Sequence, residues 1–445
     1  MLDLEAADIA YALIRDDVTR NEPIKDLDLL IDRRKFHEFK TLAERQGFFL
    51  IKDGYLNPGK KVLVKIEGER AYLIDLHLKM VYRGMEFMSA DRCLSRRVKE
   101  NGFYRLSDED YLASLLFHNV LAKKKIQAKH LEPLRRLLGQ NLDEAYLKSH
   151  LARFGLAHIF TDLCRHFETY AGNETKVQKI HRKAVKQVLR AQPKNRLVRL
   201  LIRLRRIKIK FMGKPRGVLI AFIGPDGAGK SSTIRAVQHY LHRVGFNTRT
   251  AYMGPWGGSI FNFKERLKWL NLDPYREDYK AYYAGRLKQK PGPLKGRKKL
   301  KLQVRSALYY FLLMIEMYAR WWTRVLPHLR EGRVVLADRY IYDMLVGYKS
   351  RPMDYQEGIR TALCNAFPRP DIGILLSASP EVIFARKPQL NRRHLQLIYP
   401  VYQQVASRYG FLTLETDQSL EATVRAFSRQ VIPQIQDTLK ERLDR

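Results

Sequence analysis

Residues Gly224 to Ser232 read Gly-Pro-Asp-Gly-Ala-Gly-Lys-Ser-Ser. The spacing G-x-x-x-x-G-K-[ST] is that of a loop that cradles phosphate. It constrains the fold because such a loop becomes an anion site only between a strand that delivers it and a helix that receives it. Both flanks fit. Val218 to Ile223 is a continuous apolar run, as expected of a buried parallel strand. The stretch from Ser232 to Val237 opens a helix. The strand, loop and helix together disfavour a chance glycine loop and imply nucleoside triphosphate binding. Lys230 is then expected to reach the β- and γ-phosphates, and Ser231 to hold Mg²⁺. Gly224, Asp226, Gly227, Ala228, Gly229 and Ser232 complete the expected nucleotide contacts.

Strands and helices alternate around this loop. Asn247–Met253, Arg333–Asp338, Asp371–Leu376 and Phe411–Leu414 read as strands, and Leu302–Leu329 as one or two long helices. The alternation predicts an α/β unit over 216–445, a parallel sheet with helices on both faces. Residues 1–106 read as mixed α+β. Helical patterns are expected over Leu4–Ile14 and Phe36–Gln46, and strands over Leu27–Ile31, Val62–Ile66 and Tyr72–Leu78. From Ser107, whose Asp-Glu-Asp successor marks a helix start, 107–172 reads as a helical bundle. Residues 173–215 are expected to be a basic connector.

Charge is the second constraint. The 445 residues carry 82 Lys and Arg against 46 Asp and Glu, a net charge of +36. An anionic partner is implied: nucleic acid, an acidic membrane surface or a phosphorylated small substrate. No acid occurs between Lys176 and Arg216, or between Arg286 and Arg305. Arg196, Arg199, Arg203 and Arg206 recur at helical spacing, with Leu197, Leu200, Leu201 and Leu204 on the other side. Three readings are open for that helix: a solvated face packed on the protein by its leucines, a surface for acidic lipid, or a nucleic-acid contact. The basic runs 176–216 and 286–305 are the candidate contacts for such partners. The three cysteines are scattered and suggest neither a disulfide framework nor a zinc site. The acidic start Met1-Leu2-Asp3-Leu4-Glu5 is unlike a secretory leader, and the longest apolar run, Ala307–Ile315, is too short to span a bilayer. A cytoplasmic chain is expected, either free or peripheral on the inner face of the membrane.

Arg333-Val334-Val335-Leu336-Ala337-Asp338 ends a strand on a carboxylate suited to the Mg²⁺ shell, and Arg339 follows with a guanidinium suited to phosphate. The plain reading is a surface ion pair at a strand end. Arg386, Lys387, Arg392, Arg393 and His394 crowd one acid-free segment. They read either as a basic flap over the phosphates, with Arg386, Arg392 and Arg393 stabilising transferred charge, or as a solvated helix face. The loop sequence, Asp338-Arg339-Tyr340, Pro370-Asp371 and Ala385-Arg386-Lys387 together resemble the thymidylate kinase family over the C-terminal half. That resemblance implies an acceptor contact for Asp226, metal and acceptor roles for Asp338 and Arg339, and a catalytic arginine supplied from the lid where the loop carries Gly227. The chain departs from the family at three places. Met253-Gly254-Pro255-Trp256-Gly257-Gly258 lacks the family's arginine, and the arginine that reads the base is expected near Met317 or Tyr318, where Arg320 is the nearest. A basic insertion over about 259–305 also replaces the usual spacing. Kinase chemistry with ATP and Mg²⁺ is implied. The acceptor is left as a phosphorylated small molecule, a nucleotide or a sugar phosphate. The closest likeness is to thymidylate kinase-like proteins associated with bacterial polysaccharide gene clusters.

In the N-terminal half, Asp26-Leu27-Asp28 puts two carboxylates on one face of a strand, and Asp75 lies in a second strand. Three converging carboxylates can hold Mg²⁺ and orient a triphosphate. The pattern resembles the minimal nucleotidyltransferase superfamily. That likeness implies metal-ligand roles for Asp26, Asp28 and Asp75, although the Gly-Ser turn usual before the acids is missing and Arg15 or Arg20 would have to replace it. The plain reading is a strand with two exposed aspartates and an unrelated third. Three functions follow: a kinase with a nucleotide-binding or nucleotidyl-transferring N-terminal half; a nucleic-acid end-processing enzyme; or an ATP-gated regulator docked on acidic membrane.

Overall fold

The computed structural model describes residues 2–14, 26–67, 70–255, 257–263, 296–346, 357–387 and 392–443. Arg15, Arg20, Trp256 and the basic run as far as residue 295 lie outside the described residues. Of Asp26, Arg392 and Arg393, only the backbone is described. The chain forms two compact units, Met1–Lys208 and Ile209–Arg445.

The first unit carries β1 (Tyr11–Leu13), β2 (Asp26–Ile31), β3 (Phe49–Lys52), β4 (Lys60–Glu67), β5 (Arg70–His77), β6 (Met80–Tyr82), β7 (Met85–Met88), β8 (Val98–Glu100) and β9 (Phe103–Arg105). Seven of them form a mixed sheet in the order β3-β4-β5-β2-β1-β9-β8, while β6 and β7 make a separate hairpin. The expected helix Leu4–Ile14 is half wrong. Helix Leu2–Ala6 stops at Asp8, whose φ of 52° reverses the chain, and Tyr11–Leu13 enters the sheet. Ile9 and Tyr11 to Leu13 are all buried, so a two-sided core claims a run that sequence periodicity alone would assign to a helix.

Period-2 alternation splits the core of this unit. Leu29 and Ile31 pack with Phe39 and Leu63 on one side of β2, and Leu30 packs with the helices on the other. A run of helices follows, starting at Ser107, whose hydroxyl accepts the Asp110 N–H at 3.3 Å. The stretch read as a connector is two helices, Glu174–Ala191 and Pro193–Met212. The first of these buries Val177, Ile180, Ala184 and Val188 in the bundle core.

The second connector helix packs by a face other than its leucines. Asn195 and Ile202 are buried, whereas Leu197, Leu200, Leu201 and Leu204 are 43–58% exposed. The cause is local. Glu86 N–H donates to Asn195 Oδ1 at 3.1 Å, and Asn195 Nδ2 donates to Glu86 O at 2.9 Å. Those two bonds tie the helix to the edge of β7. Gly84, with no side chain of its own, leaves room there for Ile202 and Val198.

The second unit carries β10 (Val218–Ile223), β11 (Thr248–Tyr252), β12 (Val334–Asp338), β13 (Ile372–Ser377) and β14 (Leu412–Glu415). All are parallel, in the order β11-β12-β10-β13-β14, with helices around them. β10 and β13 are buried throughout, which accounts for their unbroken apolar sequences. After β10 the chain builds one side of the sheet, then crosses to β13 on the other. The carboxyl end of β10 is therefore the topological switch point, where such sheets bind ligands.

Candidate active site

The glycine loop leaves β10 at that switch point. Gly224 has φ 146°, and a Cβ there would lie 2.6 Å from Leu376 O of β13, so no other residue fits. Gly227 and Gly229 also have positive φ, and Gly229 caps the helix Lys230–Arg243. Thr416, just beyond β14, holds the loop from below: its Oγ1 is 3.1 Å from Ala228 O and 3.0 Å from Ser377 O.

Lys230 is buried. Its Nζ donates to Gly224 O at 2.8 Å and Pro225 O at 2.7 Å, and it stands 3.8 Å from Asp226 Oδ1. Burial, with the nearby Arg339 charge adding to it, pushes its pKa down to about 8, against the opposing pull of Asp226 and Asp343. Ser231 and Ser232 are exposed in the first helical turn. Asp338 ends β12 in register with Phe222 of β10 and Tyr252 of β11, beside the loop.

Arg339 takes φ 64°, an uncommon conformation for a side chain of its size, and its N–H donates to Phe222 O at 3.0 Å. The turn aims its guanidinium between two acids. One nitrogen bonds Asp226 of the loop, and the other bonds Asp343 Oδ2 at 2.5 Å. Burial disfavours the charge on Arg339, but Asp343, Tyr402 and Asp226 outweigh it and raise the pKa. Asp343 is itself buried, which lifts its carboxyl, while Arg339 and Lys230 oppose the lift. Asp226 and Arg339, which the sequence assigned separately to the acceptor, bond directly to one another. Asp343 and Tyr402 were missed, and the only signal for Asp343 is its spacing of four residues from Arg339.

Arg386 ends the helix Pro380–Arg386. Its Nη2 donates to Thr416 O at 2.5 Å, and its Nη1 lies 3.7 Å from where a Cβ on Gly229 would stand. It therefore sits beside the loop. Arg392 and Arg393 begin the helix Arg392–Tyr409. Arg320 is fully buried, bonding Glu316 Oε1 at 2.9 Å and Gly254 O at 2.7 Å. Glu316 in turn accepts the Ile260 and Phe261 N–H groups. This arginine thus holds Gly254 directly and Ile260 and Phe261 through Glu316, and is not free to read a base.

In the first unit, Asp28 and Asp75 are register partners on parallel β2 and β5. His77, two residues on, brings Nε2 to 3.7 Å from Asp28 and 3.9 Å from Asp75. Lys60 Nζ lies 3.1 Å from that nitrogen and 3.8 Å from Asp75. Burial is the largest influence on His77 and lowers its pKa. The described cluster is thus Asp28, Asp75 and His77, and the sequence reading did not include the histidine. Asp26 lies one strand repeat earlier, in register with Leu73. The cluster opens on a cavity of about 430 Å³ that Arg83, Tyr82, Phe117 and Arg206 also line. A second cluster, Cys93, Asp110 and His150, is fully buried. There Tyr146 donates to Asp110 and the Ser89 N–H to His150 Nε2, so it reads as a bonded core network.

No family model matches the chain. Three curated proteins do. A probable thymidylate kinase of Staphylothermus marinus is 25% identical over 201 residues, 44% of this chain and 79% of that protein. The thymidylate kinase of Symbiobacterium thermophilum is 26% identical over 218 residues, 48% of this chain and 87% of its own length. That of Caldicellulosiruptor saccharolyticus is 28% identical over 174 residues, 38% and 69% respectively. With the phosphate loop at the switch point of a five-stranded parallel sheet, this similarity makes the chain an enzyme of the P-loop phosphotransferase class, similar to thymidylate kinases over just under half of its length.

Proposed function

We propose that the second unit transfers the γ-phosphoryl group of ATP to a phosphorylated small molecule other than thymidylate. The observation that carries this reading is the placement of Arg339 between Asp226 and Asp343 beside Lys230. A guanidinium oriented by two carboxylates presents a fixed fork to an acceptor phosphate. Lys230 can turn from its loop carbonyls to the β- and γ-phosphates, which the loop's backbone N–H groups cradle. An acceptor phosphate oxygen then bonds to the γ-phosphorus, the bond from that phosphorus to the β-bridging oxygen breaks, and ADP leaves. Arg386, beside Gly229, is placed to neutralise charge on the transferred group.

The donors suit a magnesium ion. The Ser231 hydroxyl and Asp338 carboxylate are hard oxygen ligands, and neither has a hydrogen-bond partner for its side chain among the described residues. Bound there, the ion would neutralise developing phosphate charge. Thymidylate is set aside because Arg320 is committed to Glu316 and Gly254, and because no arginine occurs between Met253 and Gly258.

The test is ATP consumption over a panel of nucleoside monophosphates and sugar phosphates. Acceptor-dependent ADP release that disappears in Lys230→Ala supports the reading. Turnover that survives Lys230→Ala, or that is fastest with thymidylate, refutes it.

The register of Asp28 with Asp75 over a cavity of nucleotide size favours a second reading, nucleotide binding in the first unit. Calorimetry with Mg²⁺ and ATP would then find two sites per chain, one lost in Lys230→Ala and the other in Asp28→Asn. One site in the parent chain removes this second reading.

A further inference from the structure

The helix Pro193–Met212 packs by one face and leaves another bare. Leu197, Leu200, Leu201, Leu204 and Ile207 fall on one stripe at 3.6 residues per turn, and each is 43–58% exposed. Arg196 and Arg203 flank the stripe on one side, Lys194 flanks it on the other, and Lys208 lies in line with it one turn past Leu204, all exposed. Isolated surface leucines are ordinary, but five in a continuous row framed by cations are not.

We propose that this face docks on an anionic lipid bilayer, its leucines at the acyl–headgroup boundary and its cations on lipid phosphates. No described helix is long and apolar enough to cross a membrane, so this one would lie in the plane of the interface. Charge argues against a second copy as occupant. Pairing two such faces would set cation against cation, with no acid anywhere from Lys176 to Arg216 to compensate. Nucleic acid fits less well too, because a phosphate backbone has no use for five aliphatic side chains, and Phe211 at the end of the helix is a single ring where base stacking along a strand calls for several. On the helix's other side, Ile202 and Arg206 line the cavity at Asp28 and Asp75, so docking would hold that cavity close to the lipid surface.

The full chain is floated with vesicles of phosphatidylcholine alone and of phosphatidylcholine mixed with phosphatidylglycerol. It is expected to float with the mixed vesicles and to remain below with the neutral ones. Leu200→Ser with Leu204→Ser lowers partitioning by at least about tenfold. Arg196→Glu with Arg203→Glu lowers it by about tenfold at low salt, and by less as salt rises. All four side chains are exposed, so the circular-dichroism melting curve stays that of the parent in both variants. The proposal is overturned if the parent floats with neither vesicle, or if the leucine variant floats as well as the parent. It is equally overturned if vesicles fail to bind while the leucine changes abolish self-association, or while single-stranded DNA binds parent and variant alike.

Discussion

Lys230 is where a single side chain decides most. Its pKa moves from an ordinary 10.5 to about 8, so holding it charged at neutral pH costs the folded state about 3 kcal/mol. The cost is fully present below pH 8 and fades as pH rises from there toward the unfolded value. A bound polyphosphate offsets it by supplying the missing counter-charge. ATP should therefore raise the melting temperature of the parent chain, and Lys230→Ala should abolish that rise and lower turnover by about a hundredfold or more. Because the depressed pKa means charge is lost as pH rises, ATP affinity measured by calorimetry should fall above about pH 8. Arg339 makes a separate prediction. Arg339→Lys keeps the charge and loses the fork, so kcat/KM for the acceptor should fall roughly ten- to hundredfold while ATP affinity holds.

At the scale of elements, the glycine loop is a joint between β10 and β13. Gly224→Ala combines a φ of 146° with a Cβ 2.6 Å from the Leu376 carbonyl, and backbone cannot yield as a side chain can. The expected loss is about 2–4 kcal/mol, read as a lowered urea midpoint. The elements also show what local sequence conveys. β10, β12 and β13 were legible because strands buried on both faces read as unbroken apolar runs. β6 to β9 were not, since three- and four-residue strands carry too few positions for any period to stand out. Helix Pro193–Met212 was legible as amphipathic, yet the face it packs is set by Asn195 meeting β7, a contact 109 residues apart in sequence.

Across the whole molecule, the cysteines report on how each unit is closed. Burial pushes Cys164 and Cys364 up to about 12, and Cys93 also rises. A raised thiol pKa means less thiolate, so alkylation of the native chain near pH 8 should be roughly a thousandfold slower than in denaturant. Rapid labelling of the native chain would show that these cores open. The candidate site was partly legible at this scale as well. Gly224 to Ser232, Asp338 and Arg339 could be picked out because each obeys a short-range spacing. Tyr402, Thr416 and His77 could not, because each acquires its role only when distant elements close on it, and Asp343 shows nothing beyond its four-residue spacing from Arg339.

By itself, the sequence determined the phosphate loop, the parallel sheet around it and the strongly basic balance, because contiguous residues and composition carry all three. Only the tertiary structure decided that Arg339 stands between Asp226 and Asp343, that Arg320 is consumed in holding Gly254, and that the leucines of the basic helix face outward. Each of these depends on which groups from remote segments satisfy one another's charge and hydrogen bonds, and no local spacing encodes that choice.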